Sequence, residues 1–229
     1  MIHDMSYPGG KGKSYQRLIN LMPPHETYIE THLGSGAVLR NKRPAKTTIG
    51  IDADERVVSA WSQSTPMGCK VVQADAVTFL EQYAFRGNEL VYADPPYVAA
   101  TRRRTKIYRY EYSDADHFRL LDVLAALPCM VMISGYESAL YEERLRGWRR
   151  VSFSANTQRG LRQECVWMNF SEPTQLHDAS FLGATFRERQ AVKRRHQRLF
   201  ERFGRMDPVE REHVLQVLNT RYNERACTS

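Results

Sequence analysis

The sequence predicts an α/β protein: one mainly parallel sheet, finished at one edge by an antiparallel hairpin and followed by a helical tail. Three observations predict it. Short apolar runs of strand character alternate with stretches of helical periodicity. Three successive runs end in aspartate, at Asp52, Asp75 and Asp94. The last two runs follow one another across a short polar turn, as paired antiparallel strands do.

The chain has 229 residues and 42% hydrophobic content, enough for one cored domain and an appendage. The division is expected at residues 1–172 and 173–229. No apolar run approaches the ~20 residues of a membrane span, and no signal-peptide core is visible. Cys69, Cys129, Cys165 and Cys227 are scattered, without Cys-x-x-Cys spacing, so neither a zinc site nor any other metal is expected. A reducing, cytoplasmic setting follows. The net charge of +7 favours a polyanionic partner.

Taken in order, the chain opens on Tyr7-Pro8-Gly9-Gly10-Lys11-Gly12-Lys13-Ser14. A phosphate-binding P-loop would need glycine at Tyr7 and a strand in front, and only six residues precede the segment. Two readings stay open: a flexible turn, or a tight glycine turn that places Tyr7 and Lys11 beside a ligand. Ser14–Met22 is predicted helical and stops at Pro23-Pro24. Thr27–Thr31 is predicted as a strand, and Leu33-Gly34-Ser35-Gly36 leads into a helix at Ala37. Glycines at that turn let a ligand approach the backbone. A dinucleotide fingerprint would want a third glycine where Leu39 stands, which disfavours NAD.

Thr47–Asp52 is the next predicted strand; its terminal acid suits ribose hydroxyls. Helix is predicted over Glu55–Gln63, strand over Lys70–Ala74 ending before Asp75, and helix over Ala76–Tyr83. Leu90–Ala93 then meets Asp94-Pro95-Pro96-Tyr97. The prolines stop the strand because neither can donate to a ladder, so a carboxylate and a phenol are presented at its C-terminal end. Any one strand-end Asp is commonly a helix cap; three beside a glycine loop fit a cofactor cleft. Val98–Asp116 is polar and irregular. Its Arg102, Arg103, Arg104 and Lys106, interleaved with tyrosines, suit phosphates and stacked bases. Helix Asp116–Leu127, strand Cys129–Ser134 and helix Ser138–Arg146 follow. The strand pair is Arg149–Ala155 and Glu164–Phe170, with a turn at Asn156–Arg162 that adds Arg159 and Arg162 as candidate DNA contacts. The tail holds two predicted helices, Phe186–Arg205 and one starting at Asp207-Pro208.

Seven strands ending in a hairpin is the layout of the S-adenosylmethionine-dependent methyltransferase (Rossmann-like) fold. Over residues 5–170 the chain resembles the Dam-type (D12 class) DNA adenine-N6 methyltransferases. The resemblance rests on ordered motifs: Tyr7-Pro8-Gly9-Gly10-Lys11, the Glu-x-x-x-Gly-x-Gly loop Glu30–Gly36, Asp52, Asp94-Pro95-Pro96-Tyr97, His117 with Leu120, and Glu164–Asn169. It implies S-adenosyl-L-methionine as cofactor, held by Tyr7, Lys11, Asp52 and Asp94, with Gly34, Gly36 and Asp75 beside them. It implies a catalytic Asp94, Pro95, Pro96 and Tyr97, and duplex DNA with a flipped adenine as partner. Asp94 and the Pro95 carbonyl would accept the two amine protons, and Tyr97 would stack on the base. Where relatives have proline and an aromatic, this chain has Thr31-His32, and His32 is given no role. The short spacing between Asp75 and the Asp94 strand leaves no room for a recognition domain, which implies relaxed sequence specificity. N4-cytosine methylation, and a non-catalytic nucleic-acid-binding protein with a vestigial fold, are the alternatives.

Overall fold

The computed structural model describes residues 11–12, 14–63, 65–102, 109–157 and 160–223, with side chains except at 155–157, 160–162 and 223. The expectations for Tyr7, Arg103, Arg104, Lys106 and Arg159 lie outside these residues, as does the side chain of Arg162. The chain divides into two compact units, Met1–Ala179 and Ser180–Ser229.

In the first unit the strands are β1 (Thr27–Glu30), β2 (Thr47–Asp52), β3 (Cys69–Gln73), β4 (Glu89–Ala93), β5 (Met130–Gly135), β6 (Arg149–Thr157) and β7 (Gly160–Met168). They form one sheet in the order β3-β2-β1-β4-β5-β7-β6. The first five are parallel, and β7 pairs antiparallel with both β5 and β6. This is the Rossmann-like layout of S-adenosylmethionine-dependent methyltransferases. The helices are α1 (Tyr15–Ile19), α2 (Ala37–Asn41), α3 (Glu55–Ser62), α4 (Ala76–Gln82), α5 (Asp114–Ala126) and α6 (Ala139–Arg144).

From β1 the chain winds outward through β2 to β3, then returns to place β4 on the other side of β1. The C-terminal ends of β1 and β4 therefore flank the switch point, where open α/β sheets hold their ligands. Register sets what is delivered there. Glu30 pairs with Gly50 and Tyr92, which leaves Glu30, Asp52 and Asp94 at one edge of the sheet. Ile29, Val91 and Val131 are in register and face a core completed by Leu80 of α4 and Leu120, Leu121 and Leu124 of α5. By alternation Tyr28, Glu30 and Tyr92 point to the other face.

Most boundaries agree with the sequence to within two residues, and three features differ. Helix α1 is shorter than Ser14–Met22, because Leu21 and Met22 donate three residues back and tighten the last turn. The hairpin is longer: pairing continues to Thr157↔Gly160, well inside the expected turn Asn156–Arg162. The division between units falls after Ala179 rather than after residue 172. His177 donates its backbone N–H to Met22, stacks on His25 at 3.9 Å, and Asp178 accepts from the Arg43 N–H.

The second unit contains α7 (Phe186–Gly204) and α8 (Pro208–Asn223). A capping box between Thr185 and Glu188 starts α7, and Asp207 accepts the Val209 N–H at the start of α8.

One glycine is fixed by packing. Gly36 has φ +60°, and a Cβ there would lie 2.1 Å from the Trp61 ring. Gly36→Ala is expected to cost about 2–4 kcal/mol from the left-handed backbone and the clash. A thermal unfolding curve would show it as a clear fall in midpoint; an unchanged midpoint would contradict this packing.

Candidate active site

The strand end at Asp94 is occupied by a compact polar cluster. Lys11 Nζ donates to both Asp94 oxygens, at 2.6 and 2.7 Å, and to the Tyr97 hydroxyl at 2.8 Å. Tyr97 donates in turn to Glu164 Oε1 at 2.8 Å, and Glu164 lies 3.1 Å from the same ammonium. Glu164 comes from β7, so three distant segments, those of Lys11, Asp94–Tyr97 and Glu164, meet at one ammonium. Lys11 and Glu164 are almost fully buried. Burial works against the charge on Lys11, but Asp94 and Glu164 outweigh it and hold its pKa well above the ordinary lysine value. Burial raises the Asp94 carboxyl, Glu164 adds to the rise, and Lys11 opposes it. Two carboxylates thus share one cation, and the cluster is net anionic.

The residues forecast as catalytic are together. Pro95 and Pro96 are buried, and Pro96 lines the adjoining cavity. Tyr97 differs from expectation in its setting. Only 7% exposed, it meets Tyr136 edge-on at 4.3 Å, and its hydroxyl is engaged as described. In this arrangement its hydroxyl links Lys11 and Glu164, and its ring is buried and does not present an open stacking face.

The glycine loop is built from both sides. Asp52 at the end of β2 accepts the Gly34 N–H at 2.8 Å and the Asp54 N–H at 2.9 Å, one on each oxygen. Burial raises its pKa, and those two N–H groups oppose the rise. Trp61 of α3 donates its indole N–H to the Gly34 carbonyl and fills the space beside Gly36. The missing Cβ of Gly36 therefore serves Trp61, whereas the sequence reading gave it to a ligand. Asp75 caps α4: one oxygen accepts both the N–H and the hydroxyl of Thr78. It lines the same cavity, so cap and lining coincide.

The chain at 109–112 borders this cavity and is clasped to it. Arg109 pairs with Asp54 at 2.8 Å. Tyr112 and His32 share a hydrogen bond of 2.9 Å, and the other ring nitrogen of His32 meets the Thr31 hydroxyl. Burial lowers the His32 pKa to about 3, so the clasp is neutral at physiological pH. The residue given no role from sequence is a structural anchor. Arg102 corrects the expectation of a DNA contact: its side chain is 3% exposed and forks onto both oxygens of Glu111, at 3.1 and 2.6 Å. Its guanidinium fixes the loop and is not offered to a phosphate.

The cavity has a volume of about 240 Å³ and runs from Asp94 past the glycine loop to Asp75. Its lining includes Glu30, Asp52, Asp75, Asp94, Glu111 and Asp116 against one lysine, Lys11. This lining, acidic even with Glu30 protonated, would repel the phosphates of a dinucleotide and suit a ligand carrying positive charge. A sulfonium with an α-ammonium group has that character. Asp52 keeps a spare lone pair on each oxygen for hydroxyl donors. The residues present therefore fit S-adenosylmethionine, with Asp52, Asp75, Asp94 and the Gly34 loop as the groups that would hold it. Sequence reasoning quoted Glu30 and Glu164 only as parts of motifs. Their acidic character inside apolar strands was the visible signal that they carry more.

No protein-family model matches the chain, and no curated protein matches it. Solved structures align with it at low identity. A putative methyltransferase from Streptococcus mutans, SMU.1697c, solved in complex with SAH, aligns at 11% identity and TM-score 0.47, covering 68% of this chain and 94% of that one. An rRNA methylase from Streptococcus thermophilus aligns at 10% identity and TM-score 0.46, covering 70% and 95%. The 23S rRNA methyltransferase ErmE aligns at 14% identity and TM-score 0.47, covering 84% and 88%.

Glu30 gives a stability test of this acidic edge. It is 3% exposed, accepts from the Tyr28 hydroxyl and the Leu39 N–H, and burial raises its pKa from 4.5 to about 8. From about pH 4.5 upward the unfolded chain releases this proton while the folded chain keeps it. Stability therefore falls with rising pH up to about 8, at ~1.4 kcal/mol per pH unit. Glu30→Gln keeps the acceptor and removes the ionisation. It should stabilise by about 2–4 kcal/mol at pH 7 and have little effect at pH 4, read by thermal unfolding at both values; equal shifts at the two would contradict the assignment.

Proposed function

We propose that this chain is an S-adenosylmethionine-dependent methyltransferase that modifies the N6 amine of adenine in DNA, with relaxed sequence selectivity. The observation that carries the proposal is Asp94. It is a mostly buried carboxylate at the end of β4, followed by Pro95-Pro96-Tyr97, beside an acidic cavity at the switch point of a methyltransferase-type sheet. The resemblance in ordered motifs points to the same chemistry.

The exocyclic amine of adenine is a weak nucleophile because its lone pair is delocalised into the ring. S-adenosylmethionine supplies a methyl group made electrophilic by the sulfonium. The chain's task is to restore electron density on nitrogen and to hold it in line. Asp94 can accept one amine N–H. Lys11 occupies one lone-pair direction on each Asp94 oxygen, and each oxygen keeps a second. The Pro95 carbonyl, which has no competing N–H of its own, is the natural second acceptor. Two acceptors stabilise the positive charge that grows on nitrogen, and the net anionic cluster adds to the effect. The anionic surroundings also favour a cationic cofactor over its neutral product, which aids release.

The amine lies inside the duplex, so the base must leave the stack at a cost of a few kcal/mol. Only the link from Asp75 through α4 separates β3 from β4, so no recognition domain is inserted there. That supports broad selectivity. N4-cytosine chemistry needs the same pair of acceptors and is the nearest alternative.

Incubation of duplex DNA with methyl-labelled cofactor, followed by digestion to nucleosides, is expected to give N6-methyladenine at many sequence contexts. N4-methylcytosine would redirect the proposal, and an unlabelled product would overturn it. Asp94→Ala should lower the rate by roughly 10²–10³-fold or more while DNA affinity is kept; unchanged turnover would remove Asp94 from the mechanism.

A further inference from the structure

Helix α7 concentrates the chain's positive charge. It carries seven basic residues and two acidic ones, a net +5 in a chain whose total is +7. At 3.6 residues per turn, Arg187, Arg194, Arg195, Arg198 and Arg202 fall within about 100° of arc, over a length of ~22 Å. All five are exposed, and none forms an ion pair among the described residues. A charged face on a surface helix is ordinarily relieved by (i, i+4) carboxylates. Here Glu188 is engaged in the capping box and Glu201 accepts from Gln197, and no ion pair joins either to the row among the described residues.

The opposite arc has another character. Val192 and Phe203 are half-buried there, beside the exposed Leu199 and Phe200. The helix is held in shape by its Thr185–Glu188 capping box, with no proline or internal glycine, and no residue of it is fully buried. The arginine row is thus a preformed surface without a protein partner in its own unit.

We propose that the arginine face of α7 docks duplex DNA through its phosphates, independently of sequence. Five guanidinium forks in a row match a polyanion of regular spacing, and arginine pairs bidentately with phosphate oxygens. An α-helix fits the major groove of B-DNA or lies along its rim. The face adds phosphate contacts to a chain in which Arg102 is committed to Glu111 and no recognition domain interrupts β3 to β4. The inference rests on the proposed function only in taking DNA as the substrate. An anionic membrane surface is the competing partner for a basic amphipathic helix, and self-association through Leu199 and Phe200 is another.

The test uses the full chain and a fluorescent duplex of arbitrary sequence, with affinity followed as salt is raised. Each phosphate neutralised contributes about −0.9 to the slope of log affinity against log salt, so the five arginines account for about −4.5. The double substitution Arg194→Gln with Arg198→Gln should make the slope shallower by about 1.8. Between 50 and 200 mM salt it should therefore lose roughly 12-fold less affinity than the wild type. The lysine pair, Arg194→Lys with Arg198→Lys, should keep the slope. An unchanged slope in the glutamine variant would overturn the proposal. So would arginine-dependent binding to phosphatidylserine vesicles, or arginine-dependent dimerisation, without a change in slope. The two readings fail separately: DNA binding with this slope but no methyl transfer would remove the proposed activity alone, and DNA methylation with an unaltered slope would remove the docking face alone.

Discussion

The arrangement depends on one buried charge. Lys11 is 5% exposed and sits between Asp94 and Glu164. An ammonium so placed cannot remain without anionic partners, because the cost of leaving a buried ion unpaired is several kcal/mol. It draws together the end of β4, the middle of β7 and the segment that precedes α1, which are far apart in the chain. Tyr97 closes the ring by donating to Glu164 and accepting from Lys11. The carboxylate proposed to accept an amine N–H is therefore oriented before any substrate arrives, which is the condition under which hydrogen bonds contribute most to catalysis.

The sheet places this cluster where a second constraint applies. At the switch point the ends of β1 and β4 border a cavity whose lining carries many more acids than bases. Burying a carboxyl group at this edge costs stability, as the raised pKa of Glu30 records, with Asp94 adding to the rise. A charge set that disfavours the empty fold and suits a cation is characteristic of a site shaped by its ligand. The clasp over the cavity works the other way. Tyr112 on His32, Arg109 on Asp54 and Arg102 on Glu111 use neutral or matched groups, and so hold the chain at 109–112 without adding to the excess of negative charge.

Local pattern was enough to read the strands. The span Thr47–Asp52 is the same in sequence and structure, and the acids at 52, 75 and 94 do gather at one cavity. What could not be read from pattern was partnership. Arg102 sits in a basic, tyrosine-rich run that suggests phosphate contacts, yet burial beside Glu111 decides its use. Gly36 looked like a place for a ligand to approach, but Trp61, far along the chain, occupies that space. Lys11 was ambiguous in its own glycine-rich segment and is explained only by Asp94 and Glu164. The extra residues of the first unit, His177 and Asp178, likewise follow from contacts with Met22 and Arg43 that no periodicity announces.

The central claim is that an ionised Asp94, its affinity for protons raised by burial and adjusted by Lys11 and Glu164, accepts an N–H of the amine. The pH dependence of kcat/KM for methyl transfer to DNA tests it most directly. With the Asp94 carboxyl raised to about 6, the rate should fall below that pH with a slope of one. Glu164→Gln keeps an acceptor for Tyr97 and removes a charge that adds to the rise burial imposes on Asp94, so the acid limb should move to lower pH. A profile without an acid limb near 6, or one that stays in place in Glu164→Gln, would contradict the account.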